Sequence, residues 1–89
     1  MEMMMEEQNK KIVLDIIDTI LQEKQKNNTY PLIALSIKDG LYAECEKRLG
    51  KDYKTPLRQL VRDRVLRTGI TINDRYFKYA SNEDENAVL

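Results

Sequence analysis

The sequence predicts an α+β, mainly α fold with three helices and a small antiparallel β-hairpin. Apolar residues recur at helical spacing in three separate segments, and a short, alternating, aromatic-rich stretch follows the third of them. A chain of 89 residues is long enough for one modest core. We therefore expect a single domain over residues 9–80, between a disordered N-terminus, 1–8, and an acidic disordered tail, 81–89.

The first helix is expected over residues 9–25. Six apolar side chains form a wide stripe on one of its faces: Ile12, Val13, Ile16, Ile17, Ile20 and Leu21. β-Branched residues give a lone helix little support, so this stripe has to be held by packing. A dimer seam along the same stripe is the alternative, but core burial is preferred because a small domain has few other large apolar surfaces.

The segment between the first and second helices holds a short element at residues 32–35. Periodicity does not decide whether it is an edge strand or a helical turn. Ser36 with Asp39 approximates a capping box, and Gly40 favours a helix start just after it. Gly50 is placed to end this second helix, and four residues, 51–54, connect it to the third.

The third helix is expected over residues 55–67. Thr55 followed by Pro56 is typical of a helix start, and four residues form its buried stripe: Leu57, Leu60, Val61 and Val65. Gly69 suits the left-handed residue that ends a helix. A hairpin over residues 70–79 then follows, with its turn at Asn73 and Asp74.

Charge is segregated along the chain although the net charge is zero. Residues 1–46 carry five Lys against nine Asp or Glu, whereas residues 47–79 carry ten Lys or Arg against three Asp. Three further acids lie in the last ten residues. The basic region coincides with the third helix and the hairpin, which indicates an anionic partner for that surface.

Other classes of function receive little support from the composition. One cysteine and no histidine exclude a disulfide framework and argue against a zinc site, and Cys45 is expected to be a buried small hydrophobe. No Gly-rich phosphate loop or catalytic carboxylate cluster is evident, so we expect no enzyme, no metal and no cofactor. No apolar run is long enough to cross a bilayer, and a cytoplasmic setting is expected.

The order helix, short strand, helix, turn, helix, hairpin resembles the winged helix-turn-helix family of DNA-binding domains. The recognition helix of that family would correspond to TPLRQLVRDRVLRTG, and its wing to ITINDRYFKY. The resemblance implies that the third helix enters the major groove and that the wing contacts the backbone or the minor groove. It implies base contacts by Thr55, Arg58, Gln59 and Arg62, and phosphate contacts by Lys51, Lys54, Arg75 and Lys78.

The expected function is therefore sequence-specific binding of double-stranded DNA in transcription regulation. Because one copy makes a small footprint, we expect a homodimer or a partner subunit. Two alternatives stay open from the sequence. The fold could be a protein-interaction module, acting as an adaptor or an inhibitor, or its basic face could bind RNA.

Overall fold

The computed structural model describes residues 2–30 and 32–80, and for residues 2–5 it describes the main chain alone. Three helices and a three-stranded antiparallel sheet form an α+β, mainly α fold, which confirms the predicted fold class. Their order along the chain is consistent with a winged-helix topology. The elements are α1 (Glu2–Gln25), β1 (Ala34–Ser36), a 3₁₀ turn (Ile37–Asp39), α2 (Leu41–Leu49), α3 (Lys54–Arg62), β2 (Leu66–Thr71) and β3 (Asp74–Tyr79).

Helix α1 supplies the central part of the core. Val13, Ile16 and Ile17 are fully or almost fully buried, so the predicted stripe is used for packing. The helix begins at Glu2 and so extends through residues 2–8, where the sequence predicts a disordered end. Glu, Met and Gln dominate that stretch, and all three have high helix propensity.

The short element before α2 is a strand, and a real capping box follows it. The Ser36 hydroxyl accepts a hydrogen bond from the Lys38 N–H, while the Asp39 carboxylate accepts one from the Ser36 N–H. Gly40 has a φ of 93°, a left-handed conformation that glycine adopts without a steric penalty. The predicted later start of the second helix is therefore confirmed, since α2 begins at Leu41.

Helix α3 starts slightly earlier than the sequence predicts. Its first residue is Lys54, and Tyr53 rather than Thr55 precedes it without any side-chain cap. Pro56 still lies within the first turn, where its missing N–H leaves no hydrogen bond unmade. Pro56 is buried together with Leu57 and Leu60, so this end of the helix is anchored by packing.

Helix α3 also ends earlier than predicted. The spacing of Val61 and Val65 predicts a helix to residue 67, but α3 ends at Arg62. Arg64 adopts a left-handed backbone with a φ of 62°, and strand β2 begins two residues later. The predicted 55–67 helix is wrong at this end because the left-handed position is taken by an arginine and not by Gly69.

Two hydrogen bonds close this helix end. The N–H of Val65 donates to the carbonyl of Leu60 at 3.0 Å, and the N–H of Arg64 donates to the carbonyl of Val61 at 3.1 Å. Because Arg64 itself is the left-handed residue, these two hydrogen bonds form a Schellman motif. Glycine usually holds the left-handed place, because a side chain there approaches the neighbouring carbonyl.

The sheet has the strand order β1-β3-β2, so β3 pairs with both neighbours. Leu35, Phe77 and Thr68 lie side by side in register across the three strands. Leu35 and Phe77 are buried, and this row therefore marks the face of the sheet that covers the helices. Periodicity left a strand and a helical turn open for residues 32–35. The structure has a strand there, and β1 is an outer strand of the sheet.

The wing is longer than the predicted 70–79 hairpin, since β2 starts at Leu66. Gly69 lies within β2 opposite Tyr76, and a Cβ added to it would overlap the Tyr76 ring. Its role is to make room for this ring rather than to end α3. The loop between the strands consists of Ile72 and Asn73, and Asn73 has a φ of 66°.

All three helices and the sheet contribute to one core. Helix α1 contacts both α2 and α3, and β2 contacts α3. The acidic tail at 81–89 lies outside the described residues, so its predicted disorder stays a prediction. The buried apolar residues are Val13, Ile16, Ile17, Leu35, Leu41, Cys45, Tyr53, Leu57, Leu60, Leu66 and Phe77.

The Schellman motif predicts that Arg64→Gly stabilises the protein. Glycine removes the free-energy cost of holding an arginine in the left-handed conformation, but it also makes the unfolded chain more flexible, which opposes folding. We expect a net gain of about 0.5–1 kcal/mol in the free energy of unfolding. Urea titration monitored by circular dichroism measures it. Gly50→Ala is the matched opposite change, because Gly50 has a φ of 81° and an added Cβ there meets no atom within 4 Å. Gly50→Ala is expected to lower the free energy of unfolding. A neutral or destabilising effect of Arg64→Gly would contradict the assignment of Arg64 as the left-handed residue of the Schellman motif.

Candidate nucleic-acid interface

The exposed face of α3 carries three of the side chains that the sequence predicts as base contacts. Thr55, Arg58 and Arg62 are all exposed, and they follow one another at intervals of three and four residues. This spacing places them on one side of the helix. Leu57 and Leu60 point into the core, so the helix is fixed while its polar face stays accessible.

A groove of about 350 Å³ runs between α3 and the sheet. Its lining combines three cationic side chains and two hydroxyl-bearing side chains with three apolar ones. No Asp or Glu is among its lining residues, so the groove suits an anion. The lining residues are Tyr42, Lys54, Leu57, Arg58, Val61, Thr68, Arg75 and Phe77.

Two contacts position the cations at the rim of this groove. The Lys54 ammonium lies 5.5 Å from the centroid of the Tyr42 ring. Across the groove, Arg75 Nη1 donates to Thr68 Oγ1 at 3.3 Å, and Thr68 Oγ1 donates to the Tyr76 carbonyl at 2.8 Å. One guanidinium N–H of Arg75 is thus used to orient the group, and the remaining donors are available to a ligand.

The cations of this region are not neutralised by carboxylates. Within residues 2–30 and 32–80, no Asp or Glu forms an ion pair with Lys54, Arg58, Arg62 or Arg75. Four other cations do form such pairs: Lys10, Lys24, Lys26 and Arg48. The groove cations therefore differ from these four in having no carboxylate partner within that part of the chain.

Two acids near this surface, Asp63 and Asp74, accept hydrogen bonds from other groups. Asp63 accepts a hydrogen bond at 3.2 Å from Lys10 of α1, and this bond raises the pKa of the Lys10 ammonium. Asp74 accepts hydrogen bonds from the Ser36 hydroxyl and from the Arg75 N–H, and the Ser36 bond holds its pKa below the ordinary value. The charge of each carboxylate is thus partly balanced by its hydrogen-bond donors.

Five of the eight predicted contact residues do not line the groove: Thr55 and Arg62, on the exposed face of α3, and Gln59, Lys78 and Lys51. Gln59 is half-buried, and its amide oxygen is buried without a hydrogen-bond partner in the described part of the chain, so the prediction that it projects from the exposed face is wrong. Lys78 follows Phe77, and alternation places it on the opposite face of the sheet from Arg75. Lys51 is exposed in the turn before α3, beside the groove but not in its lining.

Sequence reasoning missed two groups that shape the interface. Thr68 was assigned to the end of a helix, although Leu66, Thr68 and Ile70 alternate with polar or small residues as strand residues do. No sequence pattern indicated a role for Tyr42, because its place in the groove depends on how α2 lies against the sheet. Its ring stands 6.1 Å from the Phe77 ring and so forms one wall of the groove.

The described part of the chain offers few residues for a metal site, a membrane span or a reactive cysteine. Residues 2–30 and 32–80 contain no group of three His, Cys, Asp or Glu side chains that could hold a metal ion. None of the helices described there is long and apolar enough to cross a membrane. Cys45 is fully buried, as predicted, and burial raises the pKa of its thiol to about 11.

Comparison with known proteins found no matching family model, no matching curated protein and no matching solved structure. The resemblance to winged helix-turn-helix domains therefore rests on the order of elements and on the interface described above.

The buried amide oxygen predicts that Gln59→Met stabilises the protein. Methionine has a similar length and removes an acceptor that lacks a partner, so the free energy of unfolding should rise by about 1 kcal/mol. Thermal or urea unfolding measures the change, and Gln22→Met, on the exposed side of α1, is the control that should stay near the wild type. A loss of stability in Gln59→Met would show that the amide is hydrogen-bonded in solution.

Proposed function

We propose that this protein binds double-stranded DNA in a sequence-specific manner and regulates transcription. The observation that carries the proposal is the convergence of Lys54, Arg58 and Arg75 on one groove, free of carboxylate partners among the described residues. Arg62 continues the same surface along α3. Elsewhere in the described residues, Lys10, Lys24, Lys26 and Arg48 do form ion pairs with carboxylates. The cations of the groove differ from them in this respect.

The dimensions of α3 suit the major groove of DNA. A helix of nine residues is about 13 Å long and, with side chains, roughly 10–12 Å wide, close to the width of the major groove. Thr55 and Arg62 would then face base edges, and an arginine in this position favours guanine. Gln59 is left out of this set because its acceptor oxygen is buried.

The groove beside α3 would hold the phosphodiester backbone that separates the major from the minor groove. Lys54 and Arg58 approach it from the helix, and Arg75 approaches it from the wing. Backbone contacts of this kind fix the register of a protein on DNA without reading the sequence. Lys51, in the turn before α3, would add a further phosphate contact.

A protein partner is the second candidate function, and exposed apolar side chains favour it. Tyr30 is 78% exposed and Ile33 is 68% exposed, near the end of the sheet away from the wing tip. A second copy of the chain covering this patch would double the DNA footprint, whereas a different protein would make the fold an adaptor or inhibitor. The salt dependence of affinity distinguishes DNA binding from binding of a protein partner, because an apolar contact is insensitive to salt.

Salt dependence provides the first test of DNA binding. If the basic residues of α3 and the wing neutralise four or five phosphates, log K should fall against log salt with a slope of roughly −4. Fluorescence anisotropy of a labelled random duplex, titrated with the full chain at several salt concentrations, measures the slope. Absence of binding even at low salt would reject the DNA proposal and favour a protein partner.

Substitution of the α3 arginines provides the second test. Arg58→Ala together with Arg62→Ala should abolish specific binding, because two charged contacts in the groove and on the base-reading face are lost. Lys11→Ala together with Lys26→Ala is the matched control, since it removes the same charge from exposed positions in α1 and just after it. Circular dichroism should show both double variants folded, and full affinity in a folded α3 variant would contradict the assignment of α3 as the DNA-reading helix.

A further inference from the structure

The wing ends in an apolar tip. Ile72, in the two-residue loop, is 92% exposed, and Ile70, two residues earlier on β2, is 73% exposed. Large β-branched side chains are rare at such positions, since polar residues usually form hairpin loops. Phe77 is the last buried residue of β3 on the way to the tip, and the strand rises about 3.3 Å per residue. The tip therefore stands roughly 10 Å or more beyond the core.

The surroundings of this tip are cationic and not apolar. Ile70 pairs directly with Arg75 in the register of β2 and β3, so the isoleucine and the arginine lie side by side on one face. An apolar protein surface covering Ile70 would have to desolvate the neighbouring guanidinium, which is costly. A nucleic-acid duplex instead offers phosphates to the guanidinium and stacked bases to the isoleucine.

The acidic residue at the tip is turned away from this face. Asp74 is the next residue after the loop, and one of its carboxylate oxygens accepts from the Ser36 hydroxyl of β1. The other accepts from the Arg75 N–H. Both oxygens are thus engaged, which reduces the repulsion between the tip and a phosphate backbone.

We infer that Ile72 is a wedge that enters a base step of the minor groove and bends the DNA. The inference rests on the proposed function, since α3 must occupy the adjacent major groove for the wing to reach this position. Apolar wedges, isoleucine among them, partly unstack a base step and kink the duplex by about 20–90°. Asn73 beside the wedge carries an amide that can hydrogen-bond the base edges of the minor groove.

The wedge acts on the shape of the DNA more than on affinity. Unstacking a step consumes much of the free energy that apolar contact supplies, so the loss of Ile72 changes affinity little. Flexible pyrimidine–purine steps unstack most readily, and the wedge therefore favours sites with a TA or CA step under the wing. This is a source of selectivity that needs no hydrogen bond to a base.

The test measures bending and binding on the same samples. A duplex of about 30 base pairs, labelled at both ends for energy transfer, is titrated with the full chain at low salt. Anisotropy of a singly labelled duplex of the same sequence gives the affinity. Ile72→Ser is the variant, and Val65→Ser is the control, because Val65 is also β-branched and exposed but lies just before β2, at the end of the wing away from the tip.

The wild type and Val65→Ser should increase energy transfer on saturation. Ile72→Ser should bind within about three-fold of the wild-type affinity but lose the increase. Binding of the wild type without bending, or equal bending by Ile72→Ser, would overturn the wedge and leave the proposed function intact. No binding of the wild type would overturn both. A dimer that Ile72→Ser dissociates in the absence of DNA, seen by sedimentation, would also overturn the wedge.

Discussion

The left-handed turn at Arg64 determines the shape of the whole C-terminal half. Because α3 ends at Arg62, the chain reverses at once and β2 runs back beside the helix. A helix continuing to residue 67 would carry Leu66 and Thr68 away from the sheet. The groove between α3 and the wing exists only because this turn brings a helix and a hairpin face to face. A left-handed arginine is conformationally unfavourable, and the burial of Leu60 and Leu66 on either side of the turn offsets it.

The ion pairing of the cations is the second feature that defines the molecule. The cations of α1 and of the C-terminal turn of α2 form ion pairs at the surface, where each pair contributes little to stability. The cations around the groove lack such partners among the described residues, and Tyr42 and Thr68 orient two of them instead. Orienting a cation with a ring or a hydroxyl leaves its charge available to a ligand, whereas pairing it with a carboxylate would not.

Helices α1 and α2 could be predicted from the sequence because the signals are local. An isoleucine stripe, a capping box and two glycines fix their positions within a few residues, apart from the start of α1. The end of α3 could not be predicted, because nothing in the residue type of Arg64 indicates a left-handed conformation. The basic character of this surface was evident from the charge count, whereas DNA contacts by Arg58, Arg62 and Arg75 stay a prediction.

Placement of Gln59 required the tertiary structure, whereas that of Lys78 did not. Helical spacing assigns Gln59 to the polar side, but it gives no information on the neighbouring elements that bury its amide oxygen. Lys78 follows Phe77 directly, so alternation alone could have separated it from Arg75. A count of charges along a strand mixes both of its faces, so it does not tell which of Arg75 and Lys78 lies beside the groove.

The buried thiol of Cys45 has a consequence for how two copies of this chain can associate. A thiol with a pKa of about 11 is ionised in only about one molecule in ten thousand at neutral pH, and the thiolate is the form that reacts with disulfides and oxidants. The sulfur is also out of reach of another chain. Any dimer must therefore be held together by reversible, non-covalent contacts, and its population is set by protein concentration and not by the redox state of the surroundings.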